Sequence, residues 1–263
     1  MDIAWYVYPL AILAGIVAGI INTLAGSGSL VTIPMLIYLG LPSNVANTTN
    51  RVGVLLQNVV GITTFWRSGK FDMSGGMWLL APAIPGAFVG AWMATQLGRQ
   101  QMDIILAVVM IVMLFVIIFD AERWLREQSQ VRPGRPSWWT LLLFFGVGVY
   151  GAFIQVSVGV IILAAMVLGT GYSLIHANAI KLMIVLVVTA IALAIFAGSG
   201  LIDWYLGGLM AVGQSIGAWL AVRFATRARN ANIWVRRLLI TVVVVSIVDL
   251  LGILDWITGL VAG

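Results

Sequence analysis

The chain has no cysteine, a single histidine and few charges: 9% of its 263 residues are Asp, Glu, Lys or Arg. Each shortage excludes a class of chemistry. Without cysteine there is no disulfide framework, no thiolate metal site and no cysteine nucleophile. His176, the only histidine, cannot furnish a metal centre alone. So few charges cannot coat a soluble particle of 28.3 kDa, which excludes soluble enzymes, nucleic-acid binders and disordered tails. The glycine-rich stretch Ala25-Gly26-Ser27-Gly28-Ser29 lacks the Lys-Ser/Thr that completes a phosphate-binding loop. Neither a metal nor any other cofactor is expected, and nucleic acid is not a partner.

What is present is apolar. The chain is 62% hydrophobic, with a mean hydropathy of +1.08, and its apolar runs recur along the whole length. These are the marks of an all-α polytopic membrane protein whose first partner is the lipid bilayer. The acidic start, Met1-Asp2-Ile3-Ala4-Trp5, lacks the basic region of a secretory signal and reads as mature structure. Polar breaks near residues 41–44, 67–74, 98–103, 120–137, 169–173, 198–203 and 223–234 divide the chain into eight apolar segments. Two of these, 5–40 and 138–168, are too long for one simple crossing, and each reads as a hairpin of two short helices. The first is interrupted by the glycine-rich stretch and by Pro34. Glycines permit such a turn, and irregular backbone within a membrane requires protein or water around it.

The charged stretch 120–137 reads as a cytoplasmic linker between a first transmembrane repeat, 1–119, and a second, 138–263. Ala46-Asn47 matches Ala177-Asn178, the 68–72 segment matches 199–203, and Gly86-Ala87 matches Gly217-Ala218, all at one offset of 131 residues. Upstream, Gly15, Asn22 and Gly26 pair with Gly148, Gln155 and Gly159 after a two-residue shift. Charge placement then sets orientation. If each long segment returns to its starting side, eleven loop cations, from Arg67 to Arg237, collect on one side and only Arg99 lies on the other. The positive-inside rule therefore predicts two inverted repeats, each a broken helical hairpin plus three transmembrane helices. Both termini are expected outside the cell inner membrane. That plan recurs in transporters, with the substrate near the midplane.

Two cations stand apart from the loops. Arg51 follows Asn47-Thr48-Thr49-Asn50, and Lys181 occupies the position equivalent to Asn50 in the second repeat. A charge in the apolar zone is costly, about 2.5–3.5 kcal/mol on insertion scales. No carboxylate lies at this level, which leaves two readings: a small anion is the missing partner, or both side chains snorkel to the interface. Neutral polar residues cluster at the same breaks: Asn22, Thr23, Ser27 and Ser29, then Gln155 and Ser157, with Asn47, Thr49, Asn50 and Asn178 alongside. They suit an anion that must bind and leave again, or they glue helices together. Asn22 and Gln155 are expected to face each other across the pseudo-two-fold axis. His176 and Asp249 are candidates for coupling transport to protons or cations. The small-xxx-small pairs Gly15/Gly19, Gly86/Gly90 and Gly213/Gly217 read as helix contacts, and glycine-rich faces leave room for a homodimer.

These residues resemble the sulfite exporter TauE/SafE family from about Gly15 to Gly252. The resemblance is carried by Gly15-x-x-Ala18-Gly19, Ala25-Gly26-x-Gly28, Pro34, Leu39-Gly40-Leu41-Pro42 and Ala46-x-x-Thr49, echoed by Gly148-x-Tyr150-Gly151, Gly159 and Ala177-Asn178. It departs from the family's glycine-rich pattern at Ser27 and Ser29, and at Val158 and Val160. The resemblance implies export of sulfite or an organosulfonate from the cytoplasm. Proton- or sodium-coupled uptake or exchange is the second transport expectation, and a scaffold without flux is the alternative of another class. An intramembrane enzyme lacks the paired carboxylates, histidine cluster or cysteine it would need.

Overall fold

The computed structural model describes residues 7–67, 76–118, 137–170 and 174–225. Asp249, the last expected span and nearly all of the expected linker lie outside these residues. The described residues are helical, with no strand among them: α1 (Val7–Ala25), α2 (Ser29–Tyr38), α3 (Ser43–Arg67), α4 (Met77–Thr95), α5 (Arg99–Ile118), α6 (Trp138–Phe153), α7 (Val158–Thr170), α8 (Leu174–Ser199) and α9 (Trp204–Ala225). By length and composition, the Met77–Thr95, Ile180–Ser199 and Trp204–Arg223 stretches suffice to cross a membrane.

Both long apolar segments break. α1 stops where Gly26 enters the left-handed region at φ +78. Asn22 Oδ1 then accepts from Gly28 N at 3.3 Å, which orients the chain into α2. With 10 residues, α2 extends about 15 Å, half of a hydrocarbon core. It ends in a Schellman turn: Gly40, at φ +97, donates to Ile37 O, and Leu41 N donates to Leu36 O. α2 runs straight through Pro34, which corrects the expectation of an interruption there. Inside protein, neighbouring groups satisfy the carbonyl that a proline leaves free.

The second break differs from the first. Gly159, the repeat counterpart of Gly26, lies within α7, and the turn falls before it at residues 154–157. Gln155 (φ 66) and Ser157 (φ 55) hold the left-handed backbone there. For side chains with a Cβ such angles are strained, and they persist only where surrounding contacts impose them. Two of those contacts are visible: Tyr150 Oη donates to Val156 O at 2.6 Å, and Gln155 Nε2 donates to Thr189 Oγ1 at 2.6 Å.

Packing exchanges partners between the halves. α1 lies along α9, and α4 lies along α6. Small residues make both approaches close: a Cβ on Gly15 would sit 2.8 Å from Met210 O, and one on Gly86 would collide with Phe145 O. α3 contacts α9 as α8 contacts α4, and α3 meets α8 between them. Each hydrophobic core thus joins one hairpin to the fourth helix of the other half. One holds Ala11, Ile21, Leu30, Ile33 and Met210; the other holds Leu79, Ala83, Phe144, Ile162 and Ile184. Large apolar side chains face outward, with Trp66, Trp78, Trp138, Trp139 and Trp204 exposed near helix ends, where an interfacial aromatic belt belongs.

Candidate functional site

α3 and α8 each carry one cation to the middle of the bundle. Arg51 is 0% exposed and Lys181 is 1% exposed, so neither snorkels to an interface. Each reaches across to the hairpin of the other half. Arg51 Nη1 donates to Gly151 O at 2.5 Å, and its Nη2 donates to Ala152 O at 3.0 Å. Asn47, one turn earlier on α3, donates from Nδ2 to Phe153 O at 2.9 Å and accepts from Arg51 Nη2 at 3.3 Å. Together they cap the last three carbonyls of α6. Lys181 Nζ does the same for α1, donating to Thr23 O at 3.3 Å and Asn22 O at 3.5 Å. The Phe196 ring lies 5.6 Å from the Arg51 guanidinium carbon, adding a cation–π contact.

Each cation thus has protein partners, though none of them is a carboxylate. Their partners are the C-terminal carbonyls and negative dipole ends of helices that stop inside the protein, Asn22 O accepting from Gly26 N as well. Carbonyl dipoles offset part of the desolvation cost but cancel no formal charge. Among the described residues the carboxylates are Asp103 and Asp203. Asp103 lies 3.9 Å from Arg99 in an exposed pair, and Asp203 Oδ1 accepts from Tyr205 N and Leu206 N at the start of α9. The breaks therefore retain net positive charge.

The breaks also touch each other. A Cβ on Gly26 would sit 2.6 Å from Gly159 Cα, and one on Gly159 would sit 2.5 Å from Gly26 Cα. Backbone meets backbone here, at the junction from which α2 and α7 begin. Gly28 N, at the head of α2, is met by Asn22 Oδ1 at 3.3 Å. Near these N-termini, buried Thr23 Oγ1, Ser27 Oγ, Gln155 Oε1 and Ser157 Oγ have no hydrogen-bond partner. Helix N-termini beside unpaired hydroxyls and two cations make a surface suited to oxyanions. The crevice beside Gln155, lined by Val147, Gly151, Val158, Ile184 and Val188, is too narrow to admit water.

The other expected residues take separate positions. Asn50 Oδ1 accepts from Thr32 Oγ1 at 2.6 Å, and its Nδ2 donates to Ser29 Oγ at 3.3 Å, so Asn50 fixes the first turn of α2. Thr49 Oγ1 accepts from Asp203 N at 3.0 Å, and Thr48 donates to Leu201 O; both tie α3 to the start of α9. Asn22 and Gln155 bond to Gly28 and Thr189 respectively. The repeat-equivalent pair that meets is Gly26 with Gly159. His176 and Asn178 lie in the first turns of α8; their side chains are outside what the structure describes. Missing from the expected set were Gln57, Asn58 and Gln214, all buried and polar. The signal for two of them was legible: Gln57 and Asn58 continue the helical stripe of Asn47, Asn50 and Arg51.

Comparison with known proteins decides the family: residues 11–250 match Sulfite exporter TauE/SafE. The chain belongs to this family. It is 25% identical to "Probable membrane transporter protein ORF9" of Sinorhizobium sp over 251 residues, 95% of each chain. It is likewise 25% identical to "Probable membrane transporter protein YfcA" of Escherichia coli (strain K12) over 206 residues, 78% of this chain and 76% of the relative. A Haemophilus influenzae "Probable membrane transporter protein" is 26% identical over 227 residues, 85% of this chain and 87% of the relative. No solved structure matches. Membership in the family accords with the apolar helices of a membrane-embedded chain.

Proposed function

We propose that this TauE/SafE protein is a membrane transporter exporting a small sulfur-containing anion, sulfite or an organosulfonate, from the cytoplasm across the inner membrane. The family description and the names of its relatives support transport. One observation carries the choice of an anion: each half's buried cation caps the broken helix of the other half, with no carboxylate beside it among the described residues. With the C-terminal dipoles of α1 and α6 neutralised, the positive N-termini of α2 and α7 dominate the junction. An oxyanion entering there accepts from the free hydroxyls and backbone N–H groups, and draws the cations from their carbonyls.

In this reading the halves are inverted, with the Arg67 end of α3 in the cytoplasm and the termini outside. Substrate passes by alternating access as the hairpins separate first on one side and then on the other. With the cytoplasm negative, each negative charge moved outward gains about 2.3 kcal/mol per 100 mV, so export runs without a coupling ion. The test is flux from liposomes loaded with sulfite, sulfate, thiosulfate or a sulfonate under an imposed potential. Potential-driven sulfite or sulfonate efflux is expected, and no anion flux at any potential refutes the proposal. Flux that follows a proton or sodium gradient at zero potential shifts the assignment to coupled exchange through groups such as His176 or Asp249.

A further inference from the structure

The two repeat-equivalent helix pairs, α3 with α9 and α8 with α4, are chemically unequal one level away from the breaks. On α3, Gln57 lies six residues beyond Arg51, about 9 Å along the helix toward Arg67. Gln57 is 1% exposed and Asn58 0%, and Gln214 on α9 is 1% exposed. Neither amide atom of Gln57 has a hydrogen-bond partner, nor has Asn58 Oδ1 or Gln214 Nε2. Gln57 and Gln214 share the neighbourhood of Gly53, and Asn58 follows Gln57 in sequence. Gly53 lies one turn before Gln57, and a Cβ there would collide with the Gln214 side-chain amide, so the missing side chain makes room for that amide. At the offset of 131, the counterparts of Gly53, Gln57, Asn58 and Gln214 are Ile184, Val188, Thr189 and Ala83. Ile184 and Val188 line the narrow apolar crevice, and Thr189 is occupied by Gln155. Among the described residues, this cluster of unmet amides therefore lies where α3 meets α9, whereas the equivalent positions where α8 meets α4 are apolar or, at Thr189, already bonded.

Buried amides that merely glue helices bond to one another or to backbone, because an unmet polar group inside a membrane protein is costly. Gln57 bonds to neither. We propose that Gln57, Asn58 and Gln214 form a second, weak station for the transported oxyanion, between the helix breaks and the Arg67 end of α3. Nε2 of Gln57 and Nε2 of Gln214 donate to the anion's oxygens. Oε1 of Gln57 and Oδ1 of Asn58 accept from a protonated oxygen or from water the anion carries. No formal charge is present in this trio, so the station holds its guest loosely and passes it on. This inference rests on the transport reading above.

The experiment measures sulfite flux in liposomes and thermal unfolding in detergent for wild type, Gln57→Met, Gln214→Met and the double variant. Methionine keeps the volume and removes the unpaired atoms, so unfolding is expected at or above the wild-type temperature. Flux at low sulfite should fall about tenfold in the double variant, the loss expected for hydrogen bonds to a charged ligand. Wild-type flux in the double variant overturns the station. Unfolding at a lower temperature together with lost flux also overturns it, since the amides would then be structural. Absence of anion flux in wild type defeats the transport reading itself, and the station with it.

Discussion

Replacing Gly159 by alanine tests whether the two helix breaks sit against each other. The added Cβ would lie 2.5 Å from Gly26 Cα, 2.9 Å from Gly26 O and 3.1 Å from Gly26 C. Carbon atoms rest about 3.5–4.0 Å apart, so the breaks must separate by about 1 Å. Both contacting groups are backbone, and no flexible side chain is available to absorb the shift. Overpacking of this kind costs about 1–3 kcal/mol, or a fall of about 2–10 °C in unfolding temperature for a chain of this size. Gly146→Ala is the control: it lies in α6 with no atom within 4 Å of its Cβ position. There the gain in helix propensity, about 0.5–1 kcal/mol, should leave stability equal or higher. Detergent-solubilised protein followed by intrinsic tryptophan fluorescence reads both variants, and liposome flux of sulfite should drop for Gly159→Ala alone. Gly159→Ala matching Gly146→Ala in both assays would refute the contact and the junction built on it.

Arg51→Lys keeps the charge but loses the fork that spans Gly151 O and Ala152 O; unfolding free energy should fall by about 1.5–3 kcal/mol and flux with it, and wild-type values in both assays would show that the fork is not used. Ser157→Gly removes a side chain held at φ 55 together with an unpartnered hydroxyl. It should raise stability by about 1 kcal/mol while lowering sulfite flux, and a lower unfolding temperature would assign the hydroxyl to structure. Because the chain has no cysteine, single cysteines report orientation without background. Arg67→Cys should react with an impermeant maleimide only from the cytoplasm and Arg99→Cys only from outside; labelling of both from one side would refute the inverted arrangement.

Much of the architecture was legible because the lipid leaves few alternatives. Glycine density marked the first break correctly, since only Gly26 at that point tolerates a left-handed backbone without strain. Glycine density did not mark the second turn, where contacts from Tyr150 and Thr189 accompany the strained angles at Gln155 and Ser157. Pro34 was misread for a related reason: a proline breaks a water-exposed helix more surely than one enclosed by protein. At the site, Arg51 and Lys181 stood out as charges in apolar sequence. Their partners did not, because carbonyls at a helix end leave no trace in residue identity. Gln57 and Asn58 were overlooked beside the more conspicuous Arg51, although helical spacing places them on the same stripe.

The crossed capping constrains how such a molecule can move. α1 is held by a lysine from the second half, and α6 is held by an arginine and an asparagine from the first. Neither hairpin can swing away without giving up charged hydrogen bonds worth about 1.5–3 kcal/mol each, and it would leave a cation unpaired in low dielectric. Under the proposed function, an empty site is locked by the same groups that would take an anion. A bound oxyanion changes the balance, since it gives the guanidinium and ammonium a new partner of full opposite charge and releases the carbonyls. Opening without cargo and opening with cargo then differ by the cost of those caps. Under the proposed function, movement of the halves would follow occupancy without any further gate.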